Sequence, residues 1–255
     1  RPRSRAMSRA AGQAPAATRR TDRREGARAR QARVRAILDR LAARYPEVAT
    51  ALHHDSPFQL LVATVLSAQT TDRMVNEVTP ALFARFADPA ALAAAPPGEL
   101  EALIRPVNYH RTKAVHLRGL ARMLVAGHGG EVPGTLAELV RLPGVGRKTA
   151  NVVLGGAFGR AEGVVVDTHV RRLAGRLGLS RATDPPAVEQ DLVALLPRDA
   201  WIATSHRLIF FGRDTCLARR PRCASCILVD LCPAAATDRP AAVLVPSPSP
   251  REDPR

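Results

Sequence analysis

Ser56-Pro57, Asp88-Pro89 and Asp184-Pro185 each place a residue that can cap a helix directly before a proline. The capping oxygen satisfies a first-turn amide that has no partner inside the helix. Proline loses nothing at the first helical position, because its missing N–H would be unpaired there anyway. Each pair therefore predicts a helix start. Pro96-Pro97, Gly129-Gly130 and Pro133-Gly134 punctuate the chain between such segments. Phe58 to Gln69 is apolar on nearly every face and predicts a fully buried helix, whereas His110 to Ala126, with Leu117, Leu120 and Leu124 at helical spacing, predicts an amphipathic one. The one strand-like run, Val164-Val165-Val166, is too short to outvote these signals, and aromatic content is only 4%. The expectation is an all-α protein whose folded part runs from about residue 30 to 232. With 255 residues there is material for one large or two small domains.

Charge narrows the partner. The formal net charge is +15, and most of it sits in residues 1–35, where twelve arginines face only Asp22 and Glu25. So large an excess points to a polyanion. No apolar run reaches the roughly 18 residues that a bilayer span needs, and the first thirty residues hold no apolar core of a secretory signal. Nucleic acid is thus the expected partner, with no membrane, for a monomeric cytoplasmic protein, in a bacterium one associated with the nucleoid. The start of the chain lacks large apolar side chains, so residues 1–30 are expected to form a disordered basic arm. Such an arm also resembles an organelle transit peptide. The Pro/Ser/Ala-rich stretch 233–255 reads as a disordered tail.

Leu142-Pro143-Gly144-Val145-Gly146 separates two apolar helical segments. The proline stops the first, the glycines permit positive φ and a close approach to phosphate, and the second helix begins with unpaired N–H groups pointing back at the turn. This helix–hairpin–helix string predicts a clamp on the DNA backbone through Gly144, Val145, Gly146 and Arg147. Next comes Lys148, one of only two lysines against 36 arginines. Arginine stays protonated at any physiological pH, whereas lysine can lose its proton and act as a nucleophile. The positive end of the helix dipole and the neighbouring Arg147 both disfavour an ammonium at residue 148. A plain phosphate contact is the alternative use of Lys148. The other lysine, Lys113, opens the amphipathic helix and reads as a phosphate contact. Asp167 and Asp72 both stand where they would cap a following helix.

All four cysteines lie in one stretch, Cys216, Cys223, Cys226 and Cys232, spaced C-x6-C-x2-C-x5-C. Two disulfides, a structural zinc site and an iron–sulfur cluster are the open readings on chemistry alone. The first loop of the stretch carries Arg219, Arg220 and Arg222, which suits phosphate contact better than redox work.

Taken together, Leu142 to Leu154, the stretch Val166-Asp167-Thr168-His169-Val170, Ser67-Ala68-Gln69 and the cysteine spacing resemble the endonuclease III family of DNA glycosylases and AP lyases. The likeness runs from about Ile37 to Cys232. It implies two all-α domains with a DNA-binding cleft between them: a six-helix barrel over residues 51–160, and a discontinuous cluster domain of residues 31–50 plus 161–232. It implies a 4Fe–4S cluster on the four cysteines, Lys148 as the catalytic lysine, Asp167 as the catalytic aspartate, and Gln69 as the residue that fills the vacated position in the duplex. It further implies duplex DNA with damaged bases or abasic sites as substrate, base release from oxidised pyrimidines, and strand nicking by β-elimination. One place departs from the family pattern. A Gly-apolar-aromatic loop is common ahead of the helix that holds Lys113; here the segment reads Val107-Asn108-Tyr109, so Asn108 replaces the glycine and Tyr109 stands at the wedge position. The rival readings are an adenine–DNA glycosylase, which typically lacks the lysine, a non-catalytic DNA-backbone-binding module, and an iron–sulfur electron carrier.

Overall fold

The structure, a computed structural model, describes residues 25–237. Among these there is no strand. The helices are α1 (Ala27–Arg44), α2 (Pro57–Ser67), α3 (Asp72–Arg85), α4 (Pro89–Ala93), α5 (Pro97–Leu103), α6 (His110–His128), α7 (Leu136–Leu139), α8 (Arg147–Phe158), α9 (Thr168–Arg176), α10 (Pro185–Leu195), α11 (Trp201–Asp214) and α12 (Pro233–Thr237), with single 3₁₀ turns at Arg198–Ala200 and Cys223–Ser225. The three cap–proline pairs start α2, α4 and α10. Ser56 Oγ accepts the Gln59 N–H at 3.2 Å, Asp88 Oδ1 that of Ala91 at 2.8 Å, and Asp184 Oδ2 that of Ala187 at 3.4 Å. The Val164–Val166 run builds no sheet. Val164 and Val166 point into a core, and the Val165 N–H donates to Ser205 Oγ at 3.0 Å in place of a ladder partner.

Two apolar cores organise the molecule. The first gathers buried side chains from Leu52 to Leu154, contributed by α2 to α6, α8 and the one-turn α7. Within it α4 packs on α6 and α2 on α8. The second joins Val34, Ile37 and Leu41 of α1 to residues from Val164 to Leu228, with α1 and α9 both packed against α11. The chain thus leaves the second core after α1, builds the first, and returns.

Three expectations need correction. Helix α1 begins at Ala27, inside the stretch read as a disordered arm. Arginines that look like free charge in the sequence are tied down there: Arg33 forks onto Glu25 and donates to the Leu177 carbonyl at 2.6 Å, and Arg30 donates to that of Leu179 at 3.0 Å. The tail also starts late, because Pro233–Thr237 is helical and Ala235 is buried. The rest of both termini lies outside the described residues. Finally, Thr71, not Asp72, caps α3 through the Met74 N–H; Asp72 sits in the first turn and pairs with Arg213 of α11 at 2.9 Å.

Candidate active site

A cleft of about 250 Å³ opens where the two cores meet. One wall comes from the end of α2 and the first turns of α8, and the other from α11 and the segment Gly163–Asp167. Lys148, Asp167 and Gln69 all line it. Lys148 is exposed in the first turn of α8, where no side-chain cap occupies the helix end. Asp167 caps α9: its Oδ1 accepts the Val170 N–H at 2.8 Å, which fixes the carboxylate while it borders the cleft. Both readings of that aspartate hold in one geometry, since a capping carboxylate is a rigid one. Sequence reasoning gave no part to several other residues of the lining. Asn151 reaches the cleft from α8, and His206 and Arg213 from α11, which carries no motif. Burial pushes the His206 imidazole below its ordinary value, so it stands uncharged in the cleft at neutral pH.

The hairpin is built as the sequence predicts, with one reassignment. Gly144 has φ +77, and a Cβ there would come within 3.0 Å of His116 on α6, so both the turn and the packing require glycine. Gly146 is the extended residue that opens α8. Val145 is not a surface contact. Its side chain is buried in the first core and its N–H donates to the Leu142 carbonyl at 3.1 Å. Arg147 is also committed: its Nε and Nη2 lie 3.0 and 3.1 Å from the Glu189 carboxylate, which accepts Asn151 Nδ2 as well. The Arg147 charge therefore stands against an adjacent carboxylate rather than alone beside Lys148.

Lys113 moves furthest from its expected place. It is only 5% exposed, and its Nζ donates to the carbonyls of Leu66 (2.7 Å) and Ala68 (2.6 Å) and to Thr70 Oγ1 (3.2 Å). It closes the C-terminus of α2, whose last carbonyls lack helical partners, and is not a phosphate contact. Burial pushes this amine down to about 8. The loops it holds carry two left-handed, non-glycine residues, Gln69 (φ 55) and Tyr109 (φ 58). Asn108 Nδ2 donates to the Gln69 carbonyl at 2.5 Å and joins the two loops. Tyr109 is 64% exposed, the most exposed large apolar side chain among the described residues.

All four cysteines border one space of about 40 Å³, and none is in a disulfide. Among the described residues no three Cys, His, Asp or Glu side chains converge closely enough to hold a single metal ion. Two N–H groups point at sulfur: Arg176 Nη1 lies 3.2 Å from Cys216 Sγ, and the Leu228 amide 3.4 Å from Cys226 Sγ. Arg176 also holds the carbonyls of Leu217 and Ala218. This anchors a loop on which Arg219, Arg220 and Arg222 are displayed, all three exposed.

Residues 62–198 match the family model described as the HhH-GPD superfamily base excision DNA repair protein. Endonuclease III of Synechocystis sp. is 51% identical over 191 residues, which are 75% of this chain and 87% of that one. The chain belongs to this superfamily, within its endonuclease III family. Its family relatives include endonuclease III of Bacillus subtilis (strain 168), 46% identical over 76% of this chain and 89% of that one, and that of Escherichia coli (strain K12), 42% identical over 77% and 92%. A solved structure of a trapped endonuclease III–DNA covalent intermediate superposes with a TM-score of 0.77 at 45% identity, covering 81% of this chain and 97% of that one. A thermostable thymine–DNA glycosylase shares the fold at 24% identity, with a TM-score of 0.71. Endonuclease III proteins of this superfamily are base-excision DNA glycosylases and AP lyases, so this protein is an enzyme acting on DNA, and the readings as an electron carrier or a passive backbone-binding module fall away. Among the described residues no helix is long and apolar enough to cross a membrane.

Proposed function

We propose that this enzyme removes oxidised pyrimidines from duplex DNA and nicks the strand 3′ to the abasic site, with Lys148 as nucleophile and Asp167 as its partner. The observation that carries the reading is that a lysine on a helix of the first core and a helix-capping aspartate beside the second border the same cleft, next to a glycine hairpin. The two cores are read as the two domains, and DNA lies across the cleft between them.

The neutral Lys148 amine attacks the sugar C1′ of the extruded nucleotide and the base leaves with the bonding electrons. Asp167 accepts a proton from the amine, directly or through water, and its charge stabilises the positive charge developing on the sugar. The sugar ring then opens: the C1′–O4′ bond breaks, O4′ takes up a proton, and the imine left between C1′ and Lys148 acidifies C2′. Loss of a C2′ proton expels the 3′ phosphate and breaks the strand. Extrusion costs a few kcal/mol of unstacking, least for a damaged base, which favours lesions over normal pairs. Gln69 enters the vacated position, and Tyr109 stacks beside it. Gly144, Gly146 and the displayed Arg219, Arg220 and Arg222 hold the phosphates.

The donor set fits a 4Fe–4S cluster on Cys216, Cys223, Cys226 and Cys232, since four thiols surround one space and two N–H groups stabilise thiolate charge. Such a centre supplies rigidity to the arginine loop rather than a reaction step. The enzyme works as a monomer in the bacterial cytoplasm, at the nucleoid.

Borohydride trapping on an abasic duplex tests the mechanism. The wild type should form a covalent complex, and Lys148→Gln should lose trapping and nicking by at least about 10³-fold while still binding DNA. Undiminished trapping by that variant removes Lys148 from the chemistry.

A further inference from the structure

A buried carboxylate touches both segments that carry the reacting groups, yet the chemistry above gives it no part. Glu189 of α10 is 8% exposed. Its oxygens accept from Arg147 Nε (3.0 Å), Arg147 Nη2 (3.1 Å) and Asn151 Nδ2 (3.1 Å). Arg147 and Asn151 bracket Lys148 in the first turn of α8. On its other side the carboxylate meets Gly163, where a Cβ would stand 2.1 Å from Glu189 Oε1 and 2.6 Å from Asn151 Nδ2. The chain passes this close only because residue 163 is glycine, and four residues later it reaches Asp167. The neighbours of Glu189 on α10, Val188 and Leu192, belong to the second core, while Ala150 and Val153 of α8 belong to the first.

Glu189 is buried but the Arg147 side chain is half-exposed, so solvent screens the pair and it adds little stability. What it fixes is geometry. We propose that Glu189 is a positioning residue for the reaction: it ties the turn bearing Lys148 to the segment leading to Asp167, and its charge cancels that of Arg147 beside the attacking amine. The assignment rests on Lys148 being the nucleophile. Asp72, Asp167, His206 and Arg213 also line the cleft with Lys148. They are unchanged when residue 189 alone is altered, so they cancel in the comparison.

The test is single-turnover nicking and borohydride trapping on an abasic duplex, measured across pH for the wild type, Glu189→Gln and Glu189→Asp, with DNA affinity and melting temperature taken alongside. Glu189→Gln keeps the shape and loses the charge. It should react about tenfold more slowly on the plateau at unchanged DNA affinity, since small misplacements of reacting groups carry penalties of that order. Its acid limb should move down by about half a pH unit, because the uncompensated Arg147 charge then disfavours the Lys148 ammonium. Glu189→Asp retains the charge and should keep the wild-type limb. An acid limb of Glu189→Gln that coincides with the wild type overturns the assignment, whatever happens to the rate. A wild type that fails to trap overturns the lysine mechanism instead.

Discussion

Two lysines remain in a chain whose other cations are all arginine, and each occupies a position that a guanidinium would not serve. In the proposed mechanism Lys148 must act as a neutral amine. Lys113 must place one compact ammonium against three oxygens under cover of the first core. Lys113→Met leaves two backbone carbonyls and a hydroxyl without their donor, and should lower stability by about 2–4 kcal/mol, read by denaturant unfolding. Lys113→Arg should also destabilise, because a planar fork does not fit a site shaped for a point charge. Its pH dependence has a definite sign. The folded amine lies near 8, below its ordinary 10.5, so between those values the unfolded chain binds more protons and stability rises with pH. The wild type should therefore gain on Lys113→Met as pH climbs from 8 towards 10, and a flat difference would show that the ammonium stays charged throughout. Nothing in the sequence marks Lys113 as buried: at a helix start it reads as a surface cation, because the oxygens that claim it lie more than forty residues earlier. Arg147 is misread for the same reason, its carboxylate being 42 residues away. Asp167, by contrast, was legible from its local position, since a cap is set by the residues immediately after it.

At the level of elements, the turn after α2 and the turn before α6 behave as one unit. Gln69 and Tyr109 both hold left-handed backbone, a conformation costing of order 1 kcal/mol or more without glycine, and the bonds from Asn108 and Lys113 keep it in place. Where relatives commonly carry glycine, Asn108 adds a cross-link instead. Asn108→Gly should slow base release from an intact damaged duplex several-fold, and slow nicking of a preformed abasic site less, because the second substrate has less stacking to break. Equal losses on the two substrates would detach these loops from extrusion. The helices themselves were readable because cap–proline pairs and glycine turns act over three or four residues. The pairing of α1 with α11 was not, for it joins residues from opposite ends of the folded chain, and only the likeness to a known family anticipated it.

Across the whole molecule, charge is held in two ways. Some arginines are structural: Arg33, Arg172 and Arg176 spend their donors on backbone carbonyls within the second core. Others, such as Arg219, Arg220 and Arg222, are displayed on an anchored loop. Replacing these three by alanine should weaken binding to damaged and undamaged duplex alike. It should also reduce the slope of log affinity against log salt by up to about 2.7, some 0.9 for each phosphate that is no longer neutralised, with little change in melting temperature. The route of the chain between the cores has a consequence for synthesis. Val34, Ile37 and Leu41 leave the ribosome on the order of ten seconds before any of the residues from Val164 onward that will cover them. In that interval every buried residue of the first core, Leu52 to Leu154, becomes available. The nascent protein thus acquires its hairpin while its first helix still waits, apolar face uncovered, for the segment that also delivers Asp167.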